Sequence, residues 1–406
     1  MAHLTLDGLT KRYGKTVGID GISLDIADGE FFVILGPSGA GKTTTLKSIA
    51  GLIDVDGGSV RIGGTDMTNV EPYHRNVAMA FESYALYPQQ TVAQNLASPL
   101  RSGRTGRYSE AERRERVDTV TRTLGIDHLH KRFPRELSNG QRQRVALGRV
   151  LIRPADVYLL DEPLSHLDAK LRAAMRAELR ELGRMSNTTT VYVTHDYQEA
   201  LALGDRIAIL REGRVVQVDT PEAIWRRPVD TFVARALGQP EMNLVDAVVD
   251  NGRLVVPGTG FGVAVPSGVE IAGGRARVGV RPCDVTVAAG GGRPGVVAVQ
   301  GRITLAERLG RNVEVSVDVG GVSLIALSPG GPHIREGAEV TLTIPPADVH
   351  IFAAGERGGD SLRLGAAGGL ATTAGGVAEP SAGHGGPGAS NGRPHGASAA
   401  KSEEEQ

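Results

Sequence analysis

The sequence predicts an α/β domain, then a small all-β domain of OB-like barrel type, then a disordered tail, and three observations carry the prediction. Up to about residue 235, short β-branched runs alternate with helix-period segments, as in a sheet buried beneath helices. After Gln239-Pro240 the texture changes to short alternating runs, such as Val278 to Val280, Val313 to Val319 and Val340 to Ile344, punctuated by Gly and Pro. From Ala353 onward no aromatic residue occurs, and beyond Gly365 the chain is rich in Gly, Ala and Ser before it ends in Glu-Glu-Glu-Gln. Such a tail cannot bury enough apolar area to offset its ordering entropy. The expected boundaries are 1–238, 239–356 and 357–406, with a helical subdomain at about 90–155 inside the first.

Composition narrows the role. The 406 residues exceed one ordinary core, and the 40% that are hydrophobic include no long uncharged run. Neither a membrane-crossing helix nor a signal peptide after Met1-Ala2-His3 is therefore expected, and any membrane role falls to partners. A net charge of -1 supplies no general basic field, so nucleic acid is not expected as a partner. The single cysteine, Cys283, fits a reducing compartment and reads as a small half-buried side chain.

Within the first domain, Phe31 to Leu35, Val157 to Asp161 and Thr190 to Thr194 read as buried strands. Ser109 with Glu112 three residues on opens a polar helix by a capping box, and the Arg-rich face of that helix reads as solvated. Lys170 to Met185 carries Leu171, Met175, Leu179 and Leu182 at helical spacing, a core-facing stripe.

The first chemical motif is Gly36-Pro37-Ser38-Gly39-Ala40-Gly41-Lys42-Thr43-Thr44, a phosphate-binding loop after a strand and before a helix. Its glycines let backbone N–H groups converge on phosphate oxygens. Lys42 supplies positive charge for the β and γ phosphates, Thr43 places its hydroxyl on Mg²⁺, and the helix directs its positive N-terminal end at the anion. The second motif is an apolar strand ending in Asp161-Glu162-Pro163. A carboxylate at a buried strand end suits Mg²⁺ held through water, the role expected of Asp161. Glu162 can then polarise the attacking water as general base. A bare strand ending in surface acids is the plain alternative, outweighed here by the loop at Lys42. The third motif is Leu137-Ser138-Asn139-Gly140-Gln141 before a helix with Arg142, Arg144 and Arg149. Ser138 is a good N-cap and Gly140 frees the backbone, which makes a second anion-ready helix start.

That third string closely resembles the signature sequence of ATP-binding cassette (ABC) ATPases, Leu-Ser-Gly-Gly-Gln. The resemblance is close over residues 3 to about 235 and implies a P-loop ATPase that works as a dimer, the signature at Ser138, Gly140 and Gln141 closing over the partner's γ-phosphate. It further implies that Tyr13 stacks on adenine and that Asp168, in Leu164-Ser165-His166-Leu167-Asp168, touches the partner. His195 would contact the γ-phosphate and orient the water, joining Lys42 and Glu162 as catalytic residues. Val278-Gly279-Val280-Arg281-Pro282 and Val349-His350-Ile351-Phe352 resemble the accessory domain of maltose-type sugar importers, and Ser83-Tyr84-Ala85-Leu86-Tyr87-Pro88 resembles that branch's contact with the membrane subunit. The implied protein is a peripheral ATPase on the cytoplasmic face of the membrane. It would use ATP and Mg²⁺ and serve two permease-type subunits and a solute-binding protein, paired with a second copy of itself or a related ATPase.

Two positions depart from the family. Asn139 replaces the first signature glycine, a change tolerated at negative φ or in the left-handed region. Glu82 stands where the family has a glutamine that touches Mg²⁺ and the attacking water. At about 4 Å and an effective dielectric near 20, one such like-charge contact is worth roughly 4 kcal/mol before the metal's compensation. Either coupling is altered, for instance through pairing with a non-identical ATPase, or Glu82 simply serves as the Mg²⁺ ligand. Importers for polyamine, iron, sulphate or glycerol phosphate remain open as alternatives, as do a soluble non-transport ABC ATPase and a subunit that binds ATP without turning it over.

Overall fold

The computed structural model describes residues 2–81, 83–101, 108–165, 167–186, 188–288, 295–330, 334–355 and 359–367, with side chains 182–186 excluded. Its core is a six-stranded sheet in the order Arg214–Asp219, Arg206–Arg211, Phe31–Leu35, Thr189–Thr194, Val157–Asp161, Val77–Ala80. All neighbours run parallel except the first pair. The three strands expected from sequence are three adjacent ones, buried throughout because both faces are covered.

One face packs against helix Lys42–Ala50 and a four-stranded antiparallel sheet that includes Leu4–Tyr13 and Thr16–Ile26. The other packs against helices that include Val92–Ala97, Glu110–Thr123, Asn139–Leu151 and Ala169–Ser186. The first three of these form the expected helical subdomain. Ser109 caps its helix as read: its hydroxyl accepts from the Glu112 N–H while the Glu112 carboxylate accepts from the Ser109 N–H. In Ala169–Ser186, Met175 and Leu179 are buried and Leu171 packs on the same core. The Leu182 side chain lies outside the described residues.

The C-terminal part is all-β, as expected. Two antiparallel sheets, of six strands centred on Asn243–Asp250 and Arg275–Val280 and of five strands centred on Val297–Leu309, enclose one Val-rich core. Cys283 is exposed rather than half-buried, because it sits in the turn Pro282–Asp284 after the strand ends. A second correction concerns the tail. Residues 360–366 lie within the segment expected to be disordered from 357, yet Arg363–Ala366 is an edge strand paired with His350–Ala353. Their Gly-rich flanks hid the short β run Ser361-Leu362-Arg363-Leu364. Residues 368–406, the rest of the expected tail, lie outside the described residues.

The same segment returns to the N-terminal part. Asp360 pairs with Arg211, the Thr231 hydroxyl accepts from the Ser361 N–H at 2.9 Å, and the Arg363 N–H donates to the Val229 carbonyl. Arg281 makes the other tie. Its guanidinium lies 3.8 Å from the Trp225 ring centroid and donates to the carbonyls of Trp225, Ala234 and Leu237. These carbonyls close the helices Pro221–Arg226 and Thr231–Ala236, where a cation is favoured. Residues Met1–Ala371 accordingly form one compact unit, with the expected boundary near 238 falling between Thr231–Ala236 and Asn243–Asp250.

Candidate nucleotide site

Three neighbouring strands end on the same side of the parallel sheet, and their carboxyl ends supply the site. Leu35 is paired with Thr194, and Asp161 with Val193, so the loop after Leu35, the acids after Leu160 and the histidine after Thr194 must meet. The loop turns through left-handed glycines at Gly39 and Gly41 and enters helix Lys42–Ala50 directly. At Gly41, φ is 100° and an added Cβ would lie 2.5 Å from the Gly18 carbonyl oxygen; at Gly36 it would lie 2.6 Å from that of Leu210. Pro37, Ser38 and Gly39 are exposed, Gly36 and Ala40 buried, and Thr44 half-buried.

Lys42 is 6% exposed. Its ammonium donates to the carbonyls of Gly36 (2.9 Å) and Pro37 (3.1 Å) and lies 3.4 Å from the Glu162 carboxylate. The Thr43 hydroxyl donates to buried Asp161 at 3.0 Å. These two hard oxygens suit one small divalent cation. Among the described residues no cluster of three or more His, Cys, Asp or Glu could hold a metal. His195 is exposed, and its Nδ1 meets the other Glu162 oxygen at 2.7 Å. The loop, both acids and the histidine are thus brought together.

Glu162 holds this arrangement at a cost. Its φ is 45°, left-handed for a non-glycine residue, a conformation costing on the order of 1–3 kcal/mol that clusters at functional positions. Its N–H donates to Val193 O, and its own carbonyl accepts from the Ser165 N–H and hydroxyl. Beneath the site Glu199, 2% exposed, accepts from the hydroxyls of Tyr192 and Thr194, and burial pushes its carboxyl above the usual range.

Tyr13 reaches the loop's edge. It is 48% exposed, and its ring lies so close to Gly18 that a Cβ there would meet it at 2.9 Å, while Gly18 in turn lies against Gly41. The signature residues are not part of this cluster. Ser138 caps helix Asn139–Leu151 at the surface, its hydroxyl accepting from the Gln141 N–H and its N–H donating to the Gln141 amide oxygen. Asn139 is a helical residue with no positive φ, so the replacement of glycine costs no backbone strain. Gly140 faces Leu167 and Leu171, where a Cβ would meet their methyls at 3.1 and 3.0 Å. Asp168 is exposed and accepts from the Leu171 N–H, opening helix Ala169–Ser186. Glu82, expected as nucleotide contact and metal ligand, lies outside the described residues, as does His166.

Sequence reasoning missed two polar residues. Asn95, fully buried, bonds the backbone of Tyr87, Gln90 and Thr91 and so fixes the segment after Leu86. Gln143, 5% exposed, donates from its amide nitrogen to the Pro163 carbonyl. The signal for Gln143 was its spacing, four and seven residues before Leu147 and Val150, which puts a polar group on the apolar face of the helix.

Comparison with known proteins agrees with this geometry. Residues 19–165 match the ABC transporter family and residues 278–352 the TOBE domain. The trehalose/maltose import ATP-binding protein MalK of Thermococcus litoralis is 42% identical over 366 residues, 87% of this chain and 98% of that protein. The sn-glycerol-3-phosphate import ATP-binding protein UgpC of Chromohalobacter salexigens is 42% identical over 356 residues (87% and 94%), and the xylose/arabinose import ATP-binding protein XacK of Haloferax volcanii 41% over 362 (87% and 94%). Among solved structures, the dimeric bacterial ABC transporter cassette MJ0796 superposes with a TM-score of 0.51 at 30% identity, over 54% of this chain and 98% of that one. A post-hydrolysis state of MJ0796 bound to ADP and phosphate gives 0.50 at 30% identity, with the same coverage.

Proposed function

The chain belongs to the ATP-binding subunits of ABC transporters, and from that premise we propose that it hydrolyses ATP to ADP and phosphate to energise uptake of a sugar or sugar-like solute through separate membrane subunits. The observation that carries the reading is the Glu162 carboxylate at a buried strand end, 3.4 Å from Lys42 and 2.7 Å from His195, beside the N-terminus of helix Lys42–Ala50.

The residues act in a definite order. Backbone N–H groups of the 36–44 loop and the Lys42 ammonium take the β and γ phosphates, and Tyr13 stacks on the adenine. Thr43 and Asp161 would hold Mg²⁺, which when bound would offset charge on the phosphates. Glu162 accepts the proton of the water that attacks the γ-phosphorus as the bond to the bridging oxygen breaks. His195, bonded to Glu162, orients that water. A second chain then closes the site with its own Ser138, Gly140 and Gln141 while Asp168 contacts the partner. Closing and opening of that dimer is the stroke delivered to two permease subunits, with a solute-binding protein upstream and this chain peripheral on the cytoplasmic face. Among the described residues no helix is long and apolar enough to cross a membrane, which fits a role exercised through such partners.

Relatives for trehalose/maltose, sn-glycerol-3-phosphate and xylose/arabinose stand within one percentage point of one another in identity. The solute is therefore selected elsewhere in the assembly. Isolating the tagged chain from native membranes in mild detergent and identifying its companions by mass spectrometry tests the reading. Two permease-like proteins and a solute-binding protein are expected, and the binding protein's ligand separates sugar from glycerol phosphate. Recovery only in a soluble assembly would overturn the transport role. A companion second ATPase would give Glu82 the altered-coupling role; comparing Glu82→Gln with wild type for turnover and transport decides it, equal values leaving Glu82 a plain Mg²⁺ ligand.

A further inference from the structure

The helix that begins at the signature touches its own chain's catalytic segment at two points. Gln143, one turn after Gly140 and 5% exposed, donates to the carbonyl of Pro163, the residue after Glu162, and its amide oxygen is buried with no partner among the described residues. Gly140 itself rests on Leu167 and Leu171. Glu162, in its left-handed conformation, immediately precedes the first contact, and between the two lies Ser165, which bonds the Glu162 carbonyl. A polar side chain carried on an apolar helix face is costly to the fold, and what it supplies that an apolar residue cannot is the bond to the Pro163 carbonyl.

We infer that Gln143 is a positioning residue that couples the two ATP sites of the dimer, transmitting a shift of the signature helix on the partner's nucleotide to Glu162 of its own chain. This rests on the dimeric reading above. When the helix N-terminus moves onto a phosphate, the Gln143 amide draws on the Pro163 carbonyl, and the peptide next to it sets the direction of the Glu162 side chain. Glu162 thereby reaches its working orientation only when the signature of the same chain is engaged across the dimer.

A mixed dimer of the full chain tests this. One protomer carries Glu162→Gln, to retain ATP unhydrolysed. The other is ¹⁵N-labelled and carries Lys42→Ala, so that it offers its signature without holding its own nucleotide. On adding ATP, amide exchange across residues 162–168 of the labelled protomer should slow on the order of tenfold, and that slowing should vanish when it also carries Gln143→Met, which preserves volume and removes the donor. Equal slowing with and without Gln143→Met overturns the inference while leaving the dimeric reading intact. Failure of ATP to pair the protomers at all overturns that reading and the inference with it. In homodimers, Gln143→Met should lower kcat on the order of tenfold at unchanged KM. Leu167→Ala, which loosens the second contact, should give a smaller loss of the same kind; a rise in KM instead would mark both residues as structural.

Discussion

Two helices of this chain begin with N–H groups suited to an anion, and they differ in what surrounds the opening. At Lys42–Ala50 the chain encloses its own site: Lys42 is almost fully buried, Thr43 meets Asp161, and Glu162 bridges Lys42 and His195. At Asn139–Leu151 the opening faces outward, and Ser138 and Gln141 bond each other in a capping box. The first has its groups assembled within one chain, and its cost is visible in the strained Glu162 backbone. The second has its geometry ready, but its proposed work waits on a surface brought by another molecule.

Substitutions separate the two openings. The largest effect is expected from Glu162→Gln, which should lower phosphate release by about 10²- to 10⁴-fold while equilibrium ATP binding persists. Unchanged turnover would mean that the enclosed site does not use this carboxylate. Next, Gly140→Asp should reduce turnover by about 10²- to 10³-fold without weakening nucleotide binding to the monomer. Weakened monomer binding would erase the distinction between the two ends. A smaller change is expected from Tyr13→Ala: loss of a stacked base is worth about 1–3 kcal/mol, so the ATP dissociation constant should rise roughly 5- to 150-fold with kcat little altered. Titration calorimetry reads it directly.

The smallest effect lies away from both openings. Burial, aided by Arg363 and Arg281, lowers the His350 imidazole from its usual 6.5 to about 3. The unfolded chain binds the proton first, so this contribution to stability is complete above about pH 6.5 and falls by up to about 1.4 kcal/mol per unit toward pH 3. His350→Phe should flatten that part of the urea-unfolding profile and leave ATP turnover at pH 7.5 unchanged. A variant as acid-sensitive as wild type would show that another group carries the effect.

Much of this was legible because local chemistry and fold agree. Phe31–Leu35 and Val157–Asp161 are apolar on both faces, and both motifs sit where a parallel sheet ends, so Lys42, Thr43, Asp161 and Glu162 could be named together from spacing alone. His195 needed the family resemblance, since a histidine after a strand carries no chemistry of its own. Gln143 was signalled only by its place on an apolar helix face, and the contacts of Gln143 and Asn95 were out of reach because their partners are backbone groups, which no residue type announces. The strand Arg363–Ala366 was lost because its partner His350–Ala353 and its flanking glycines gave opposite signals, and pairing decided the matter.

That last strand also has a consequence for synthesis. The Thr231 hydroxyl and the Arg211 guanidinium find partners in Ser361 and Asp360, 130 and 149 residues later in the chain. At about 5–20 residues per second, a ribosome needs on the order of ten seconds to deliver them. Throughout that interval Asp230, a carboxylate 4% exposed in the finished fold, has Arg211 as its ion-pair partner without the neighbouring Asp360. The nascent chain thus completes its nucleotide-binding sheet well before the last of the ties that join it to the β-rich part exists, and translation that stops near residue 355 would release a protein with intact motifs, the Arg281 tie and an unfinished seam.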